Sequence, residues 1–323
     1  MAYQAQTPFH VVGTRTASLT NLDEALQKTG LDWQIDKRKL YLADGTEFKG
    51  HFGMVRLNGD GSIKSQLGAV GAKYHPTTNR QNVEMIEPLL SRFGCTVESG
   101  GTFNGGRRCF LLLKFPGVKI DVVPGDSLKG FNLLSWNHDG QGGVRNNPTT
   151  IRPICANTLA AAAAQCEAWA MVQHRAGAAQ RIDEAAKVVE QIVAAMIAAG
   201  ESFAALARAR MTRSDLQAFV ERIIPSEAEE VSTVIRERRE SIVALASGGR
   251  GADMANQLVS TVDGGVSLWG AINGVSEYFD HVRPAEAKSE ATRLKANESA
   301  LFGGNALVKQ LALAEAQRLL GAN

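Results

Sequence analysis

The sequence predicts an α+β protein: a mostly antiparallel sheet with helices in the N-terminal half, followed by an α-helical C-terminal half. Three observations carry this. Before residue 157, short apolar runs alternate with glycine-rich turns. One of those turns, Asn58-Gly59-Asp60-Gly61, has the residues that tolerate the positive φ of a tight hairpin. After residue 157, alanine and helical spacing dominate. At 323 residues the chain is long enough for two domains, expected over 1–156 and 157–323, with the first helix of the second, 157–174, packing on the sheet.

Trp33–Asp36 and Lys39–Leu42 read as strand segments leading to the turn signal Asp44-Gly45. Phe52–Leu57 is the next strand, and Ser65–Val70 returns beside it after the Asn58–Gly61 turn. Val83–Phe93 is expected as one helix, because Val83, Ile86, Leu89, Leu90 and Phe93 fall on one helical face. Strands follow over Arg107–Phe115, Val118–Val123, Phe131–Trp136 and Ile151–Cys155. Gly100-Gly101, Gly105-Gly106 and Gly140–Gly143 are read as the turns between segments. In the second half, Asn157-Thr158 caps a helix running to His174, and another runs from Arg181 to Ala199. Ser226–Glu229 has the form of a capping box for a helix continuing through Arg239 to Ala246. Two more helices are expected from about Val266 to His281 and from about Asn305 to Leu320.

Composition excludes several classes. The chain holds 35 Lys+Arg against 33 Asp+Glu, so net charge names no partner. The charge is nevertheless split: residues 1–150 carry 17 cations and 13 anions, and residues 151–323 carry 18 and 20, so a polyanion would meet the first half. Cys95, Cys109, Cys155 and Cys166 form no CxxC pair and read as reduced thiols, not a zinc site or disulfide framework. No apolar run is long enough to span a membrane, and the N-terminus lacks the pattern of a secretory signal. These features imply a cytoplasmic location.

No phosphate loop and no dinucleotide fingerprint is present, so neither ATP nor another cofactor is expected. His138, Asp139, Asp121 and Asp126 have the chemistry of a metal or acid–base site, while Asn137-His138-Asp139-Gly140 also reads as plain turn chemistry. The positive signal is electrostatic. Residues 101–155 hold Arg107, Arg108, Lys114, Lys119, Lys129, Arg145 and Arg152 against three aspartates, with aromatic residues interleaved. Cations for phosphates and aromatic rings for base stacking are how single strands are held without sequence readout. Phe103 and Trp136, beside turns, are the rings expected to be exposed; Phe110 and Leu112 are expected in the core.

Five segments resemble the phage/plasmid-like protein family, built on domain of unknown function 932. They are Gly30-Leu31-Asp32-Trp33; Tyr74-His75-Pro76 with Asn79 and Asn82; Gly100–Phe103 with Gly105-Gly106-Arg107-Arg108; Asn137–Gly140; and Ile151-Arg152 with Cys155, Asn157, Thr158 and Leu159. The resemblance runs from about residue 10 to the end. Asn79 and Asn82 compete for one motif position, and Gln141 stands where the family has Ser. The resemblance implies a mobile-element protein in a bacterial host. The order of elements also looks like that of ring-forming single-strand-annealing recombinases, an analogy of topology.

The expectation is therefore a phage or plasmid protein that binds single-stranded DNA and anneals strands in recombination or replication without ATP. Whether RNA substitutes is open. Arg107, Arg108, Lys114, Lys119, Arg145 and Arg152 would contact phosphates, and Phe103 and Trp136 would stack on bases. Identical subunits in a ring or filament would make the groove continuous. The alternatives are a non-catalytic adaptor of a mobile element, and a metal-dependent nucleic-acid enzyme using His138 and Asp139.

Overall fold

The computed structural model describes residues 8–84, 86–152, 155–157, 194, 197–228 and 230–321. A short helix, α1 (Pro8–Val12), leads into β1 (Thr14–Leu19) and α2 (Leu22–Lys28). The Asn21 side chain caps α2 by accepting from Glu24 N at 3.0 Å. Next comes a meander of β2 (Ile35–Tyr41), β3 (Glu47–Leu57) and β4 (Ile63–Gly71). Its second turn closes as the Asn-Gly-Asp-Gly sequence predicts: Asn58 N donates to Ser62 O at 2.9 Å and Gly61 sits at φ +80°. The meander is a separate antiparallel sheet in the order β2-β3-β4.

The helix expected over Val83–Phe93 is two helices, α3 (Asn79–Glu84) and α4 (Glu87–Phe93). Pro88 supplies the reason. It stands in the first turn of α4, where its missing N–H costs nothing, and it could not sit inside a continuous helix. The apolar stripe survives the break, since Val83, Ile86, Leu89 and Leu90 are all buried.

β5 (Thr96–Phe103), β6 (Arg108–Val123), β7 (Asp126–Asn137), β8 (Arg145–Arg152) and β9 (Cys155–Asn157) build the main sheet, in the order β1-β5-β6-β7-β8-β9, all antiparallel. The two strands expected over 107–123 are one long strand. Gly100-Gly101 is not a turn but lies inside β5. A Cβ on Gly100 would stand 2.4 Å from Leu111 Cδ2, and one on Gly101 3.1 Å from Gly13 Cα, so these glycines let the neighbouring chain approach.

Both faces of the main sheet are buried, which is why β6 reads as the unbroken run Cys109–Leu113. Leu111, Leu113, Leu134 and Trp136 share one apolar cluster with Phe203, Phe219 and Trp269 of the helical half. Phe110, Leu112, Phe131 and Leu133 face a second cluster closed by Phe9 and Leu301. Each such buried side chain contributes about 1.5–3 kcal/mol.

The helical half comprises α5 (197–208), α6 (Arg213–Ile223), α7 (Thr233–Gly248), α8 (Ala252–Asn256), α9 (Leu268–Glu277) with a π turn at Tyr278–Val282, α10 (Arg283–Ala285), α11 (Glu290–Phe302) and α12 (Gly304–Gly321). The strand pair β10 (Arg210–Met211) and β11 (Val266–Ser267) joins distant parts of it. Glu229 of the expected capping box lies outside the described residues, and no helix starts at Ser226. The helix starts seven residues later, where the Ser232 hydroxyl accepts from Ile235 N, and Pro225 with its neighbours forms the connection instead. The helix expected over 157–174 lies, from residue 158, outside the described residues, as do Cys166 and most of the helix expected over 181–199.

Candidate functional site

The predicted cations fall into two groups. Arg107 and Arg145 are exposed at one end of the main sheet, where Arg108 pairs with Asn137 and Ser135 with Arg145. Arg108 is partly committed: its Nε donates to Asn137 Oδ1 at 3.1 Å, its Nη1 lies 3.6 Å from Glu298 and its guanidinium covers the Phe302 ring. Lys114 is half-buried further along β6. Lys119 is at the far end, about 26 Å away at 3.3 Å per residue along β7 from Asn137 to Lys129, opposite Lys129 and ion-paired with Asp121 at 3.0 Å. The side chain of Arg152 lies outside the described residues.

The two rings expected to be exposed are not. Phe103 is 3% and Trp136 1% accessible. Phe103 packs with Phe110 and Phe302, because α11 covers that face. Trp136 points into the other cluster, where its indole N–H donates to Asn79 Oδ1 at 2.8 Å. Neither can stack on a base in this conformation. The four-residue metal or acid–base grouping does not form either. Asp121 and Asp126 flank the β6–β7 turn, at the opposite end of β7 from His138. Asp126 is buried and accepts from Trp269 Nε1 at 2.9 Å. Among the described residues no group of three or more His, Cys, Asp or Glu could hold a metal.

His138 instead belongs to a buried polar junction. Asn79, at the start of α3, donates from Nδ2 to Leu31 O at 2.9 Å. That fixes its Oδ1 toward Trp136 Nε1 and His138 Nε2, the latter at 2.7 Å. Trp136 Nε1 also lies 3.1 Å from His138 Nε2, so that nitrogen faces both an acceptor and a donor, while Nδ1 is buried with no hydrogen-bond partner among the described residues. Burial pushes the His138 pKa down to about 4, outweighing the opposing pull of Asp139, so the ring is neutral at physiological pH. Trp33 meets the ring edge-on at 5.4 Å, and the Arg56 guanidinium covers Trp33 at 4.4 Å. Asn82 is spent locally, accepting from Thr77 Oγ1 at 2.8 Å, so of the two candidate motif asparagines it is Asn79 that reaches the junction. Asp139 has the turn role, accepting from Gln141 N at 2.9 Å.

The junction seats the three-stranded sheet. Met54, Leu67 and Val70 form a small cluster of their own, and Trp33 packs against both it and the main core. Ser65 Oγ donates to Gly105 O at 2.8 Å, and Gly68 lies against Asp139. Residues 35–73 of this sheet carry seven cations and four anions, a surplus of three in a chain whose total is +2. Arg38 and Lys39 pair with Asp36 and Glu47. Lys37 caps the carbonyls of Ala72 and Tyr74. Lys49, Lys64 and Lys73 are exposed, with no carboxylate partner among the described residues. Tyr41 (59% accessible) and Phe48 (46%) flank the Leu42–Thr46 turn next to Lys49, whereas Lys64 lies at the other end of the sheet, beside the β3–β4 turn. These two exposed rings among cations are what the window 101–155 did not contain. In the sequence they stand with Lys37-Arg38-Lys39 and Phe48-Lys49 on either side of Asp44-Gly45.

The sequence profile described as domain of unknown function (DUF932) matches residues 66–301. The chain belongs to this family. Three of the segments that resemble it, at Asn79, Gly106 and His138, converge on the junction together with Trp33 of a fourth. No curated protein and no solved structure matches the chain. Among the described residues no helix is long and apolar enough to cross a membrane.

Proposed function

We propose that this DUF932 protein binds single-stranded DNA and anneals complementary strands without ATP, in the recombination or replication of a phage or plasmid within a bacterial cell. The observation that carries this reading is the pair of exposed rings, Tyr41 and Phe48, beside the exposed Lys49 at the β2–β3 turn, with Lys73 just past the end of β4 and Lys64 exposed at the far end of the same sheet. Arg107 adjoins that sheet through the Ser65–Gly105 bond, and Arg145 lies at the same end of the main sheet. Phosphates would run along these cations while bases stack on the rings, leaving their pairing edges open. Identical subunits in a ring or filament would extend the track. No step needs a covalent intermediate or a cofactor.

The test is fluorescence anisotropy with a labelled oligothymidine at several salt concentrations. Binding should weaken steeply with salt. Tyr41→Ala with Phe48→Ala should weaken it at least about tenfold, given about 1–3 kcal/mol per stacked base. Lys49→Glu with Lys64→Glu should lower the salt slope. Absence of binding at low salt would overturn the reading.

A further inference from the structure

A cleft of about 600 Å³ opens between α6 and α7. That size is within the range of ligand sites in proteins. Its floor is apolar: Val220 from α6, Val243 and Ala244 from α7, and Val231 from the connection between them. Its α7 wall is a stripe at positions 236, 240, 243, 244 and 247, successive turns of one helix face. The eleven steps from residue 236 to residue 247 make this stripe about 16 Å long, or three turns. The α6 wall repeats the spacing at 213, 217, 220 and 221. Two facing helical stripes with an apolar floor are the geometry into which a third helix packs. Val231 and Val234 stand 38% and 64% accessible at the cleft's α7 end, so the apolar surface continues outward.

The rim gives the sign of the occupant. Arg239 is already engaged, donating from Nε and Nη2 to Ile224 O and lying 3.7 Å from Glu221. Arg213 and Arg236 are exposed and have no carboxylate partner among the described residues. Glu240 is the one rim carboxylate outside the Arg239–Glu221 pair, so the uncommitted charge is positive. We propose that this cleft docks an amphipathic helix of a partner protein, its apolar stripe against Val220, Val243 and Ala244 and its flanking carboxylates against Arg213 and Arg236. The site is remote in sequence from the proposed nucleic-acid surface and does not depend on it.

The experiment uses the full chain without DNA and a fluorescent synthetic helix of about four turns, with leucines at helical spacing and glutamates on the flanks. Controls are a scrambled peptide and one with lysines replacing the glutamates. The glutamate peptide should bind saturably, and the scrambled and lysine peptides should not. Ala244→Arg, at an exposed floor position, should weaken binding at least about tenfold, the loss of one interface anchor. Arg213→Glu with Arg236→Glu should lose the glutamate peptide and gain the lysine peptide, a swap that a misfolded variant would not produce. No saturable binding, or binding indifferent to Ala244→Arg, would overturn the proposal. So would concentration-dependent dimerisation abolished by Ala244→Arg, which would assign the cleft to a second copy of the chain.

Discussion

Acidification is the most direct test of the junction. His138 is 1% accessible and its pKa is pushed from 6.5 down to about 4 by burial. In the unfolded chain the imidazole takes its proton near pH 6.5, whereas in the native protein it does so only near 4. Between those values the unfolded state binds one more proton, so stability rises with pH. The contribution is complete above pH 6.5, shrinks by about 1.4 kcal/mol per pH unit below it and levels off below pH 4, about 3 kcal/mol in all. His138→Gln removes the titration but keeps a side-chain N–H that can reach Asn79 Oδ1. Urea unfolding of both proteins from pH 7.5 to 4.5 isolates the effect, because all other groups titrate alike in the two. From pH 6.5 to 5 the native sequence should lose about 2 kcal/mol more than the variant. Parallel pH curves would refute the reasoning: His138 would then exchange protons with solvent as freely in the native state as in the unfolded one.

Two further perturbations separate the roles of neighbouring residues. Asn79→Ala strands Leu31 O in the interior and leaves Trp136 Nε1 and His138 Nε2 only each other, at 3.1 Å, as partners; at about 1–3 kcal/mol for each group left short of a partner, and less than additive, the loss should be about 3 kcal/mol. Asn82→Ala loses only the two bonds to Thr77, one of them long at 3.5 Å, and should cost about 1 kcal/mol, so equal urea midpoints for the two variants would contradict the assignment. Gly106→Ala places a Cβ 2.9 Å from the Trp33 ring at a backbone φ of +113°; a loss of about 1–3 kcal/mol and altered tryptophan fluorescence are expected.

The fold class was legible because local signals and tertiary structure agree. Asn58-Gly59-Asp60-Gly61 makes the turn its residues favour, and the unbroken apolar run of β6 follows its two buried faces. Boundaries failed where a single residue outweighed the pattern. Pro88 divides a continuous apolar stripe into two helices, and Ser232 takes the capping role from Ser226. Gly100-Gly101 looks like a turn by composition, but only the backbone of residue 13, distant in sequence, shows why glycine stands inside a strand.

The site was less legible for a physical reason. Phe103 and Trp136 lie beside turns, and proximity to a turn is a fair sign of exposure only when nothing distant covers the ring. Here Phe302 covers one, and Asn79, 57 residues from Trp136, covers the other. Counting charge over residues 35–73 finds the surplus, and the hairpin turn at Asp44-Gly45 leaves Tyr41 and Phe48 outside the core. Four of the five segments that resemble the family meet around His138, a neutral imidazole with no carboxylate bonded to it among the described residues, rather than on the exposed surface. In this chain they act as a joint. Trp33, Asn79, Gly106 and His138 hold the three-stranded sheet against the end of the main sheet, and that placement brings Lys64 and Arg107 to the two sides of the Ser65–Gly105 contact. A phosphate track across two sheets requires such a joint, because cations carried on independent elements would form no continuous line. Loss of the joint should therefore weaken nucleic-acid binding without removing a single cation, whereas loss of Lys64 should weaken binding and leave urea stability unchanged.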